Sequence, residues 1–444
     1  MVPKIKQLLF LLLFTSALSI TFLSSCSTPT DPKLLPTLTL TVNGVNSTEV
    51  FIKLSTNNVT LPASVSLSRN NKQINSFTLV TADTTIVDEG LNPNQSYTYL
   101  ASIQSSNHTA VKSEAVIATT MDTTSHNFTW QTFTFGDPGA GSSHLSDVAI
   151  INENNIWAVG EIYMNDSTGK ADPEPYSLAK WDGTQWKLEK LYYKNSSEDK
   201  LILSAIRGIL YLSASDIWFA AGSIFHWDGK TDLAQLSYSR LNLPDPNATI
   251  EKLWGNSSSV IYGVGHAGTI VSYLNGQWQK IESGTNWDIY DVFGYTNSDN
   301  SQQEILCAST DQNNYSNSTI LKISDKTKVD RIDLNTNRLT GSVWTDRGFP
   351  IYVCGDGIFT NKSGEWDEIK LPVNYATSKI RGNGLNDIFL CGVLGLIAHY
   401  NGGDWKVYND VYNAVYTSVN FKGDVAAFIG WRNGKGVITV GRRN

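Results

Sequence analysis

Charge, sulphur and histidine are all scarce in this chain. Charged residues make up 17% of its 444 positions, and it holds only 3 Met, 4 Cys and 6 His. Four cysteines cannot staple a chain of this length into a disulfide scaffold. No two of them form a C-x-x-C pair, so no zinc or redox centre is expected, and no cofactor. There is no H-E-x-x-H and no G-x-S-x-G, and Gly434-Lys435 lacks the upstream glycine of a phosphate loop because Ile429 stands there. Acidic residues outnumber basic ones, 41 to 34, for a net charge of −7. That balance argues against a nucleic-acid partner, which needs clustered Lys and Arg. Against these absences stand 41% hydrophobic residues, 13 Trp and 34 Gly. The apolar content rules out global disorder, and the Trp and Gly point to repeated strands with tight turns rather than helices.

The first residues read as an address. Lys4 and Lys6 precede an apolar run from Leu8 to Leu23, shorter than the roughly 20 residues of a membrane-spanning helix. The run ends in Leu23-Ser24-Ser25-Cys26, which resembles the lipobox of bacterial lipoproteins. The resemblance implies a signal peptide over 1–25, cleavage before Cys26 and acylation (palmitate among the chains) of that cysteine. The mature protein would then sit on a membrane without spanning it. Ser27 follows, so the inner-membrane retention aspartate of enterobacterial lipoproteins is absent, and the outer membrane is expected. Periplasmic and surface faces both stay open, since only Asp31 lies nearby.

Two compositions follow a Pro/Thr tether over 26–36. Residues 37–121 hold no Trp and two glycines, Gly44 and Gly90, whereas every Trp lies at or after Trp130. The break places a domain boundary near 122–126. The first domain alternates with period two, as in Leu38, Leu40, Val42 and in Tyr97, Tyr99, Ala101, Ile103, which predicts a β-sandwich. Within it, Leu91-Asn92-Pro93-Asn94-Gln95-Ser96-Tyr97 resembles the L-x-P-x-x-x-Y signature of fibronectin type III domains, although the Trp of their second core strand is missing. That resemblance implies a spacer module with Tyr97 as its corner tyrosine.

The second domain, 127–444, repeats one phrase: an inner strand, an apolar strand ending in Gly, an Asp-Gly or Asn-Gly turn, then Trp. Copies include Ile156-Trp157-Ala158-Val159-Gly160, Ile351-Tyr352-Val353-Cys354-Gly355 and Ile388-Phe389-Leu390-Cys391-Gly392. The turns Asp182-Gly183, Asp228-Gly229, Asn275-Gly276 and Asn401-Gly402 suit two-residue hairpins with positive φ at both central positions. A repeat of about 40–50 residues predicts a β-propeller, with seven blades as the expected count. The last copy ends one strand short, and Trp130-Gln131-Thr132-Phe133 supplies the missing outer strand from the N-terminal side. The domain resembles YVTN- and sialidase-repeat propellers, without a complete Asp-box.

Stacking the inner strands aligns Asp147-Val148-Ala149, Ala205-Ile206-Arg207, Lys252-Leu253-Trp254 and Asp291-Val292-Phe293. Ser342-Val343-Trp344, Lys379-Ile380-Arg381 and Ser418-Val419-Asn420 complete the set. The varied positions would ring the channel. Arg207, Trp254, Phe293, Trp344 and Arg381 are therefore candidates to hold an anionic or sugar-like ligand, since guanidinium forks grip carboxylates. The competing reading pairs these charges across blades and packs the aromatics between sheets. Glu161, His266 and Asp356 follow the glycines that end second strands. They are the candidates for acid–base work should carboxylates converge there. Cys307, Cys354 and Cys391 read as buried core thiols. The expected function is a non-catalytic, lipid-anchored envelope protein that binds a glycan or protein. The alternatives are a glycoside hydrolase or glycosyl transferase using the funnel, and an assembly factor docking on protein partners.

Overall fold

The computed structural model describes residues 35–104, 110–194, 199–297, 301–334, 336–362 and 364–444. The expected signal peptide over 1–25, Cys26 and most of the expected tether lie outside them. The described chain is all-β, with two single-turn 3-10 segments at Arg240–Asn242 and Val393–Gly395. No helix among these residues is long and apolar enough to cross a membrane.

Residues 37–121 fold as two sheets over one core. Thr37–Val45, Glu49–Asn57 and Asp83–Glu89 make the three-stranded sheet. The second is built around Ala63–Arg69 and Ser96–Gln104, the latter also pairing with Val116–Thr119. The period-two residues point inward: Leu38, Leu40, Ile52, Leu54, Val65, Leu67, Tyr99 and Ala101 are buried together. The Tyr97 hydroxyl accepts a hydrogen bond from the Asn92 backbone N–H at 3.0 Å, tying the strand start to the preceding turn.

The rest of the chain forms a β-propeller. Seven four-stranded antiparallel sheets follow one another, with inner strands His144–Asn152, Gly208–Ser213, Lys252–Ser257, Asp288–Thr296, Thr340–Thr345, Thr377–Gly384 and Val415–Lys422. Neighbouring inner strands pack in order and the last meets the first, which closes the ring. In the final sheet the outer strand is Phe128–Phe135, paired with Lys435–Arg443 from Phe135↔Gly436 to Phe128↔Arg443. Each of the apolar second strands is buried on both faces between its neighbours, as in Ile351–Gly355 and Asp387–Gly392. Cys307, Cys354 and Cys391 are buried there as free thiols, and burial pushes the Cys354 thiol up to about 12.

Two details depart from the sequence expectations. Of the four turns, only Asn275-Gly276 has both central residues at positive φ, 54° and 84°. At Asp182 the carboxylate instead accepts from the backbone N–H groups of Thr184 and Gln185, at 3.0 and 2.9 Å, and makes a longer turn. In the second sheet the inner strand starts at Gly208, so the triplet facing the axis is Gly208-Ile209-Leu210. Ala205-Ile206-Arg207 had matched the other copies by its aliphatic middle residue, but Ile209 opposite Phe219 carries the register. Leu210 takes the place in the ring that Arg207 was aligned with, and Arg207 lies three residues earlier, above the triplet.

The sandwich is docked on the propeller. Phe51 is fully buried and meets Phe349 edge-on at 5.4 Å. Lys362 pairs with Glu49, and the Ser47 hydroxyl and Asn386 amide both donate to the Asp122 carbonyl, at 2.7 and 2.8 Å. Phe349 and Asn386 sit between first and second strands, and Lys362 between third and fourth strands, so the sandwich occupies the face where those turns lie.

Candidate functional site

The opposite face is open. The starts of the inner strands and the connections between second and third strands surround a funnel of about 880 Å³. Each sheet places one residue at its floor: Ser146, Arg207, Glu251 and Tyr290 on one side, Gly341, Ser378 and Thr417 on the other. The two sides differ. One carries a continuous arc of polar and charged groups; the other is small and uncharged.

The arc runs through four sheets. Tyr163 reaches Glu161 at 3.5 Å, and Glu161 lies 3.4 Å from His144 Nε2. Arg207 donates to that same nitrogen at 2.9 Å. A guanidinium can only donate, so His144 is neutral with its proton on Nδ1. Burial, then the Arg207 charge, hold its pKa below the usual imidazole value. Arg207 Nε lies 4.0 Å from Glu251, which lies 4.0 Å from His266 Nε2. His266 Nδ1 then donates to Asp288 at 2.6 Å, and Asp288 also takes the Ala267 backbone N–H and the Gln312 amide. The arc links its charged groups in a chain while leaving Arg207 and His266 each 40% exposed to the funnel.

Directly below the floor lies a belt of paired charges. In blade order it reads Asp147, Gly208, Lys252, then Asp291, Ser342, Lys379, then Ser418: an acid, a small residue and a lysine, twice over. The small residue lets the lysine reach across one sheet to its acid. Lys252 lies 3.8 Å from Asp147 across Gly208, and Lys379 bonds Asp291 at 2.5 Å past Ser342, whose hydroxyl also donates to Asp291. Ser418 closes the belt by donating to Asp147 at 2.9 Å. Arg381 adds a second cation to Asp291, with bonds of 2.9 and 2.7 Å. Burial alone would raise the Asp291 pKa, but Arg381 and Lys379 outweigh it and hold the carboxyl well below its ordinary range.

The five ligand candidates are thus divided. Arg207 faces the funnel. Trp254, Phe293, Trp344 and Arg381 line a second cavity of about 270 Å³ lower in the channel. Trp344 is buried against Tyr352, and Arg381, bound to Asp291, lies over the Phe293 ring at 5.3 Å. Of the acid–base candidates, His266 lines the funnel and Glu161 stands behind His144. Asp356 is exposed, outside the funnel lining. The structure brings no two of these three into contact. Among the described residues no three His, Cys, Asp or Glu side chains gather as a metal-binding group.

Sequence reasoning missed His144, Glu251 and Asp288, which lie within three residues of ring positions it did single out. It also missed a crown. Seven large apolar side chains of the described propeller are exposed, and five of them lie at the funnel face: Leu241, Tyr315, Tyr375 and Leu394 on connections and Trp431 near the end of strand Val425–Arg432.

No family model and no curated protein matches the sequence. Solved structures do match. YCF48 bound to a peptide superposes with a TM-score of 0.50 at 15% identity, covering 71% of this chain and 97% of that one. YCF48 from Cyanidioschyzon merolae gives 0.47 at 13% identity, over 70% and 98%. BamB from Moraxella catarrhalis gives 0.41 at 12% identity, over 71% and 97%. At such identities the likeness shows the fold, a β-propeller, and nothing of the activity.

Proposed function

We propose that this chain is a bacterial lipoprotein, anchored through Cys26 to the outer membrane. In this reading a fibronectin type III-like sandwich holds a seven-bladed propeller, whose funnel binds a ligand without chemistry. The observation that carries the reading is the open funnel of about 880 Å³ on the face opposite the docked sandwich. Strand Thr37–Val45 runs from the tether toward the propeller, since Gly44 lies against Phe349 and Leu385. Thr37 therefore starts the strand at the sandwich end remote from the propeller, on the other side of the sandwich from the funnel face. A docked, rigid spacer suits presentation of one face to a partner.

The crown favours a polypeptide over a glycan. The rings of Tyr315, Tyr375 and Trp431 would serve either ligand, but Leu241 and Leu394 add aliphatic surface that a polypeptide uses and a sugar does not. The YCF48 structure named above holds a peptide, a precedent for the fold only. A glycoside hydrolase or transferase would need converging carboxylates, and Glu161, His266 and Asp356 do not supply them. Glu251 and Asp288 stand beside His266, but Glu251 is already engaged by Arg207, and Asp288 by Ala267 and Gln312. The test pairs a glycan array with affinity capture from envelope extract, using the full chain in detergent and Arg207→Ala as control. Capture of one protein partner, weakened by Arg207→Ala and by Leu241→Ser/Trp431→Ser, is expected. Loss of neither glycan nor protein binding in these variants would move the site off this face. The anchor is tested separately: Cys26→Ala should release the protein from the membrane fraction and abolish fatty-acid labelling.

A further inference from the structure

The belt does not balance. Three cations, Lys252, Lys379 and Arg381, line the lower cavity with only two carboxylates, Asp147 and Asp291. Lys252 spends its Nζ hydrogens on the carbonyls of Ser146 and Arg207, at 3.0 and 2.5 Å. Arg381 is committed to Asp291, Ser342 and two backbone carbonyls. Lys379 is different: its side chain is 7% exposed, yet among the described residues its ammonium makes one hydrogen bond, to Asp291. An ammonium carries three donors, and a buried donor without an acceptor costs free energy. The surplus N–H groups belong to a side chain that lines a cavity of about 270 Å³, room for an ion and several waters.

We propose that this lower cavity is a binding site for a small monovalent anion, a halide or a carboxylate group, seated between Lys379, Arg381 and Lys252. The anion completes the belt: it accepts the spare Lys379 hydrogens and cancels the third positive charge. Asp147 and Asp291 also face the cavity, so the seat lies on the side of the cations. Burial, then the neighbouring Arg381, lower the Lys379 pKa to about 8, as expected of an ammonium short of counter-charge. The site lies below the funnel and shares only Lys252 with its lining.

Thermal unfolding of the full chain in detergent tests it without any funnel ligand. Sodium chloride, or sodium acetate in a parallel arm, replaces sodium gluconate at constant total salt. A saturable rise in Tm of about 3 °C is expected, because an anion bound only to the folded state stabilises it by mass action. Saturation with chloride alone assigns a halide, and saturation with both assigns carboxylates as well. Lys379→Met removes the surplus charge and should flatten the curve; Lys252→Met serves should that variant fail to fold. A flat response in the parent chain, or an equal rise in both lysine variants, overturns the site.

Discussion

The belt at the waist and the arc at the funnel floor are both built from paired acidic and basic side chains, one above the other along one axis. They differ in access to water. Asp291 at the waist is 1% exposed and holds Lys379 and Arg381, whereas Arg207 in the arc is 40% exposed and holds His144. Inside the channel a charge that loses its partner meets only a narrow cavity and no bulk solvent, so the belt is tied to the fold. On the floor, water replaces a lost partner at little cost, so the same chemistry is free to exchange partners with a ligand. Depth along the axis, more than residue type, separates a group that holds blades together from one that can meet a ligand.

The sharpest way to break this contrast is to remove Asp291. Asp291→Ala leaves Lys379 and Arg381 buried beside each other and should cost about 3–5 kcal/mol in urea unfolding. Pairing it with Lys379→Met should restore part of that loss. A cost below about 1 kcal/mol for the single variant would mean that the waist is wetter than its burial indicates. Next in size is Gly294→Ala. A methyl there would lie 2.5 Å from the Trp254 indole, which packs flat against the glycine. Overpacking at such a contact costs about 1–3 kcal/mol, and an unchanged midpoint would show that the indole moves freely in its cavity.

Two groups of the belt titrate at opposite ends of the pH scale, and both make stability rise with pH. Asp291 is held below its ordinary 3.8, so the stability it lends is complete above that pH and is lost as the pH falls toward the folded value. Lys379 titrates near 8 in the fold against 10.5 unfolded. Between those values the unfolded chain keeps a proton the folded one has shed, so this group makes stability rise with pH. A third titrating group sits where the ring closes. His399 is fully buried, bonded through Nε2 to Asp387 and through Nδ1 to His126, both at 2.8 Å. Burial lowers its pKa despite Asp387. As the pH falls through 6.5 the unfolded chain gains a proton that the folded His399 refuses, so stability falls. Tm should drop between pH 7.5 and 5.5, by less in His399→Gln; equal drops in both chains would exclude His399 as the cause.

Much of the architecture was legible because propellers write themselves in periodic terms. Tight turns, apolar second strands and the outer-strand Trp recur, and Trp130 marked the strand that completes the last sheet. The second copy misled because Ile206 and Ile209 are both aliphatic, and only the partner strand decides which faces the axis. The site was harder to read for a related reason. His144, Arg207, Glu251 and Asp288 come from different sheets and touch only once the ring is closed. Nothing in the local pattern of any one copy announces them. The double acid–small–lysine order of the belt was present in the sequence as Asp147, Lys252, Asp291 and Lys379. Its meaning depends on Gly208 and Ser342, whose small size lets each lysine reach its acid.

The smallest expected effect is the most informative about function. Arg207→Ala and Glu251→Gln each disturb the arc where side chains are part-exposed and pairs lie at 4.0 Å. Their effect on unfolding should stay within about 0.5 kcal/mol, the range of solvent-exposed pairs. Ligand capture should nonetheless weaken about tenfold, about 1.4 kcal/mol, if the arc meets the ligand. The ratio of these two effects is the test. Loss of binding without loss of stability assigns the arc to recognition, as the open funnel suggests. A stability loss as large as that of Asp291→Ala would instead make the arc a second belt, and the crown of Leu241, Tyr315, Tyr375, Leu394 and Trp431 would have to carry recognition alone.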